Sequence, residues 1–116
     1  MWMYRQITGE LIYDGVHIAV GYSGNGKGLN NPAFDTESNL GPILKGYWII
    51  GEAFNHPTKG PFCMRLKPKS KCHRTGFMIH GDNTKGDKSA SHGCIVFNKA
   101  TRLLIANSED KLLMVF

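Results

Sequence analysis

No run of this sequence approaches the length needed to cross a membrane as a helix, which removes insertion into a bilayer from the readings. Met1 to Gln6 is too short and too polar to be the apolar core of a signal peptide. The chain therefore reads as made in the cytoplasm, or as exported by a route that uses no cleavable signal. Internal repeats and linkers are absent and long helical patterns are scarce, so residues 1–116 read as a single domain. From Lys59 through Arg74 there is no Asp or Glu among six Lys/Arg. Aromatics are sparse there too, with only Phe62 nearby, whereas single-strand platforms interleave aromatics with basic groups. Nucleic acid is thus disfavoured as a partner.

What is present suits a β-rich, turn-rich protein. The 116 residues include 14 glycines and five prolines, and the core they can build is just large enough to stand without compulsory staples. A net charge of +5 favours an anionic partner or surface without specifying one. Arg65, Lys67, Lys69 and Lys71 alternate, so in an extended chain they share one face, read as solvated.

Along the chain, "MWMYRQ", "ELIYD" and "HIAVGYS" read as a strand meander, with a hairpin turn at Asp14-Gly15. "GYWIIGEAF", "FCMRLK", "CIVF" and the final "KLLMVF" read as further strands. Asn98 is placed to cap a short helix over about residues 99–107, with Leu103 and Leu104 expected inward. "GYSGNGKG" (residues 21–28) nearly spells a phosphate-binding loop. It lacks the magnesium-binding hydroxyl, however, and runs into Asn30, Asn31 and Pro32 instead of a helix. A tight glycine turn is the better reading.

The chemistry concentrates in "FMIHGDNTKGDKSASHGCIVF", residues 77–97. Zinc is one reading of His80, His92 and Cys94 with Cys72 and His73, but His92-Gly-Cys94 is too tight for the usual knuckle and Cys72-His73 are adjacent. An inert buried cysteine is another. A nucleophile reading explains more of the residues. Cys94 needs an imidazole to take its proton, and His80 ends an apolar strand that could aim its ring. The Gly81 carbonyl could hold the other ring nitrogen, and Gly93 leaves backbone amides free for an oxyanion hole.

"IHG…SHGCI" resembles the signature of the L,D-transpeptidase catalytic domain of the YkuD type, and "GPILKGYWIIG" is similar to an element that precedes it there. The succession "GYSGNGKGLNNP", "GPILKG", "HPTKGP", "GFMIHGDN" and "SHGCI" resembles still more closely the type VI secretion L,D-transpeptidase effectors, over about the whole chain. Two departures stand out. Val96 occupies a position where cell-wall enzymes carry Arg or Asn, and Leu44 stands where a second proline is expected.

The resemblance implies a mainly β fold, a YkuD-like sandwich or barrel with one short helix after the catalytic cysteine. It implies acyl transfer on peptidoglycan stem peptides, with Cys94 as nucleophile and His80 as base. His92 would shape the site, and Gly81 and Gly93 would belong to the catalytic backbone. Ser91 would brace the turn and, with Asp82, Asn83 and Tyr22, is a candidate substrate contact. No cofactor or metal is implied. The implied partners are the stem peptide, type VI secretion components and a cognate immunity protein, with action in the periplasm of target bacteria. A non-catalytic or zinc-stabilised wall-binding module is the alternative. Cys63 and Cys72, separated by eight residues, are a tentative disulfide.

Overall fold

A computed structural model describes all 116 residues. Its first strands, β1 (Trp2–Arg5), β2 (Glu10–Tyr13) and β3 (Val16–Val20), pair antiparallel in chain order. Asp14 and Gly15 join β2 to β3 with φ of +48° and +82°, the backbone a two-residue primed turn requires. The short β4 (Tyr22–Ser23) leads into two single 3₁₀ turns, at Gly26–Gly28 and Pro32–Phe34. A long hairpin follows, β5 (Gly46–His56) and β6 (Gly60–Pro68), then β7 (Met78–His80) and β8 (Ile95–Val96). Helix α1 (Lys99–Ala106) precedes the last strand, β9 (Leu112–Val115).

The fold is mainly β with one short helix after Cys94, as the sequence implies. All nine strands join in one sheet ordered β3-β2-β1-β9-β5-β6-β7-β8-β4. Fifteen buried residues form the main core, and they come from β1, β2, β9 and β5 through β8, from Ile43, Phe77 and Phe97 beside those strands, and from Ile105 of α1. Strands far apart in the sheet thus share one apolar cluster, so the sheet curls around it. No helix is long and apolar enough to cross a membrane.

The sequence places α1 correctly but not its rotation. The Asn98 side chain accepts the Thr101 N–H at 2.9 Å, capping the helix as expected. The inward residues, however, are Thr101, Arg102 and Ile105, whereas Leu103 is half-buried and Leu104 is 50% exposed. Arg102 fixes that rotation. Its Nε donates to the Phe97 carbonyl at 3.1 Å and its Nη1 to the Pro61 carbonyl at 2.7 Å, which turns Ile105, three residues on, toward the core.

The tentative disulfide is also corrected, because all three cysteines are free thiols. Cys63 is buried within β6 and donates to the Gly60 carbonyl at 3.3 Å. From Cys63 the strand runs straight on to Pro68, a distance of roughly 16 Å at strand rise. Cys72 follows four residues after Pro68, half-buried against the core. A bond needs Cα atoms within about 7 Å. Lys67, Lys69 and Lys71 are exposed, and exposed Arg65 lies 4.6 Å over the Phe54 ring, so the alternating basic face is solvated as read.

Candidate active site

Strand register decides which side chains meet. Met64 pairs with Ile79 and Ile79 with Ile95, and all three are buried, both pairings running through the main core. Alternation then sends His80 to the other face, beside its partner Val96, which in turn pairs with Tyr22. Cys94 directly precedes Ile95, so it falls on the side of His80. The base candidate thus sits on β7, and the nucleophile candidate just before the parallel neighbour β8, two residues from the register partner of His80.

His80 is fully buried. Its Nδ1 lies 2.7 Å from the Gly81 carbonyl oxygen, which can only accept, so the proton sits on Nδ1 and the lone pair on Nε2. Nε2 is buried with no hydrogen-bond partner. Burial holds the imidazole below its ordinary 6.5, outweighing the Gly81 hydrogen bond, and the charges of Lys59 and Arg102 push the same way. At neutral pH the ring is therefore uncharged and able to take a proton. Gly81 has a second reason to be glycine: a Cβ there would lie 2.7 Å from Arg102 Nη2.

The half-buried Cys94 thiol opens into a cavity of about 340 Å³. Its Sγ lies 3.7 Å from the Gly76 carbonyl and is not hydrogen-bonded to His80. Catalytic hydrogen bonds of this kind commonly tighten only once substrate is bound. Burial pushes the thiol up; the Met78 backbone amide and the charges of Lys59 and Arg74 pull it down.

The turn that carries Cys94 is bonded through two buried hydroxyls. Ser91 Oγ accepts from Gly24 N at 2.9 Å and Gly93 N at 3.1 Å, and donates to the Cys94 carbonyl at 2.5 Å. That fills a hydroxyl's capacity. Ser91 is 0% exposed, so it braces the turn and its assignment as a substrate contact is corrected. Ser23 Oγ donates to the Gly93 carbonyl and accepts from Ile43 N, both at 2.8 Å. Gly93 must be glycine on two counts, a φ of +134° and an Arg74 Nη2 atom 2.5 Å from where a Cβ would stand. Its N–H is taken by Ser91, so it does not supply the free oxyanion donor expected of it.

Tyr22 is likewise structural rather than substrate-facing. It is 6% exposed; its hydroxyl donates to Asp82 at 2.7 Å and accepts from Ala90 N at 3.2 Å. Asp82 also accepts the Asn83 N–H, and the Asn83 amide reaches Ser89 at 3.2 Å. Asp82 and Asn83 line a second cavity of about 180 Å³. His92 is exposed and lines both cavities, standing between them. Position 96 is buried against Tyr22 and Ala90, so Val96 packs as part of a small apolar cluster.

The structure adds residues the sequence reading passed over. Arg74 lines the Cys94 cavity although it was read only as part of a basic stretch; its place two residues before the "GF-x-IHG" element was the available signal. Ser23 hides in the "GYSG" loop, whose glycines drew attention instead. Lys59 stands at the second cavity, beside the "HPTKGP" motif's turn.

The curled β-sheet, with Cys94 just before β8 and the buried His80 on β7, has an L,D-transpeptidase-like fold. The model of the Tlde1 domain matches residues 17–114, and the chain belongs to that family, the type VI L,D-transpeptidase effectors. Among solved structures, that of the Ldtfm-avibactam carbamoyl enzyme aligns with a TM-score of 0.57 at 14% identity, a likeness of fold. The alignment covers 99% of this chain but 47% of that one, so this chain spans about half its neighbour's length. No curated protein matches the chain.

Proposed function

We propose that residues 1–116 form one catalytic domain that carries out cysteine acyl transfer on the tetrapeptide stems of peptidoglycan. The observation that carries this reading is the unpartnered, buried Nε2 of neutral His80 beside the strand position of Cys94. His80 Nε2 takes the Sγ proton, and the sulfur attacks the carbonyl of the third stem residue. The tetrahedral adduct collapses as His80 returns the proton to the departing amine of the terminal D-alanine, leaving a thioester. Water, a free D-amino acid or a second stem then attacks that thioester, giving carboxypeptidase, exchange or cross-linking products. Gly81 sets the tautomer of His80, Gly93 lets the turn pass Arg74, and His92 shapes the entrance. Asp82 and Asn83 wall the neighbouring cleft.

The domain acts, in this reading, as an antibacterial effector delivered by the type VI apparatus into the periplasm of target cells. A cognate immunity protein covers the Cys94 cleft, and acidic groups on it complement the +5 charge, so its on-rate falls as salt rises. Incubation with tetrapeptide muropeptides tests the chemistry. Mass spectrometry should find tripeptide stems or D-amino-acid-exchanged products with the native protein and none with Cys94→Ala. Unchanged muropeptides in both would sink the enzyme and favour the wall-binding alternative. Expression in a susceptible bacterium with and without an export signal tests the site of action. Toxicity should require the signal and the cysteine.

A further inference from the structure

We infer that Arg74 makes the Cys94 cavity a carboxylate-binding site, one that receives the terminal carboxylate of the residue being expelled. This deepens the acyl-transfer reading and rests on it for the identity of the expelled residue. Arg74 is only 5% exposed. Its Nη1 donates to the carbonyls of Asp35 at 2.7 Å and Pro42 at 2.8 Å, and its Nη2 to those of Gly41 at 3.1 Å and His92 at 3.2 Å. The guanidinium also packs 4.9 Å from the centre of the Phe77 ring. Every one of these partners is neutral. The chain's ion pairs involve Met1, Arg5 and His17, and none involves Arg74. The Asp35 carboxylate acts on it only through space, and a desolvated cation with no bonded anion is unfavourable, so proteins normally pair it.

Arg74 lines two cavities, and only one of them also holds Cys94. Nε is the guanidinium nitrogen that makes no hydrogen bond within the chain, and it is not among the atoms sealed from solvent without a partner. Arg74 lines the cavity of about 340 Å³ together with Cys94, and no Asp or Glu lines it. His73 and His92 complete a wall that holds no negative charge. Arg74 also grips the His92 carbonyl, two residues before the nucleophile, so cation and sulfur share one short stretch of wall.

That closeness selects a particular bond. When a terminal amino acid is expelled, its carboxylate carbon lies three bonds from the attacked carbonyl carbon, roughly 3–4 Å away. A carboxylate seated at Arg74 therefore presents the last peptide bond of the stem to Cys94 and no bond further in. The four carbonyl bonds hold the guanidinium fixed, so little ordering is needed when the anion arrives.

The test uses two alkylating reagents of one size, iodoacetate and iodoacetamide, with the modified thiol located by mass spectrometry. Both react with the same Cys94 thiolate, so any change in its acidity cancels in their rate ratio. The native protein should favour iodoacetate about tenfold more than glutathione does, the effect of one charge-assisted hydrogen bond. Arg74→Gln should return the ratio to the glutathione value, and Arg74→Lys should fall between. A native ratio equal to that of glutathione overturns the inference. Should Arg74→Gln fail to fold, acetate and acetamide are compared as protectants of the native protein against iodoacetamide. Protection by acetate alone supports the site; equal protection overturns it. Neither readout needs peptidoglycan turnover. Loss of muropeptide activity alongside a high iodoacetate ratio would refute acyl transfer and leave the carboxylate site standing.

Discussion

The turn Ser91–Cys94 and the loop Asp82–Ala90 adjoin each other and are held in opposite ways. The turn is tied to distant parts of the chain: Ser91 to Gly24, Gly93 to Ser23, the His92 carbonyl to Arg74, and the Ser91 carbonyl to Asn25. The loop is tied mostly to itself, through Asp82 with Asn83, Asn83 with Ser89 and Lys85, and Ser89 with Asp87. Tyr22 is its one anchor outside, and residues 82–89 are all exposed. Under the proposed function the difference separates two tasks. Covalent chemistry needs a nucleophile held to a fraction of an ångström, and distant ties provide that. A cleft wall that meets varied wall fragments needs no such fixity, and local ties leave it free to adjust.

Substitutions on the two sides should differ sharply. The largest effect belongs to Cys94→Ala, which should abolish muropeptide turnover while its melting curve stays close to that of the native protein. Residual trimming at a comparable rate would place the chemistry elsewhere. Next, His80→Gln should lower kcat/KM by about 10²–10⁴, and His92→Gln by less, because only the first removes the base. A larger loss at His92 would reverse the assignment. The pH profile carries the same point. His80 is held below 6.5, so the acid limb of kcat/KM should fall below that value. Stability should decline as pH drops through 6.5, because the unfolded chain takes up this proton before the folded one. A denaturation series between pH 7.5 and 5 reads that slope.

A smaller effect is expected from Ser91→Ala. It leaves the Gly24 and Gly93 amides without their acceptor, for a loss of about 2–4 kcal/mol by denaturant titration, and kcat should fall more than KM rises. The smallest belongs to Asn83→Ala in the self-tied loop, within about 0.5 kcal/mol, with any kinetic change confined to KM. Equal destabilisation by both would erase the contrast between turn and loop.

Local signals in the sequence translated well. Asp14-Gly15 demands a primed turn wherever it occurs between strands, and Asn98 caps whatever helix follows it. The placement of His80 and of the Cys94 stretch on neighbouring parts of the sheet was legible because each adjoins a short apolar run. What escaped depends on contacts between distant segments. Leu104 looked inward until Arg102 found the Pro61 carbonyl across the fold, and Arg74 passed as part of a basic stretch because its four carbonyl partners lie 18 to 39 residues away. Ser91 and Tyr22 were offered to substrate for the same reason: their hydroxyls are polar in sequence, but Gly24, Ala90 and Asp82 occupy them in space. No pattern in the chain announces such partners. The free Cys63 and Cys72 belong with these, since their spacing suits a hairpin but the chain between them is mostly one straight strand.

The position of β9 bears on how the chain assembles in time. It lies between β1 and β5, pairing parallel with one and antiparallel with the other. Until it docks, the β1–β3 meander and the β5–β8 group are two unfinished sheets with facing bare edges, the sort that invite wrong partners. Loop-closure entropy grows slowly with length, but joining the extremes of a chain retards folding. Leu113 is the register partner of both Trp2 and Trp48, the only tryptophans in the sequence. Indole fluorescence during refolding should therefore time a single late event, the closing of the sheet.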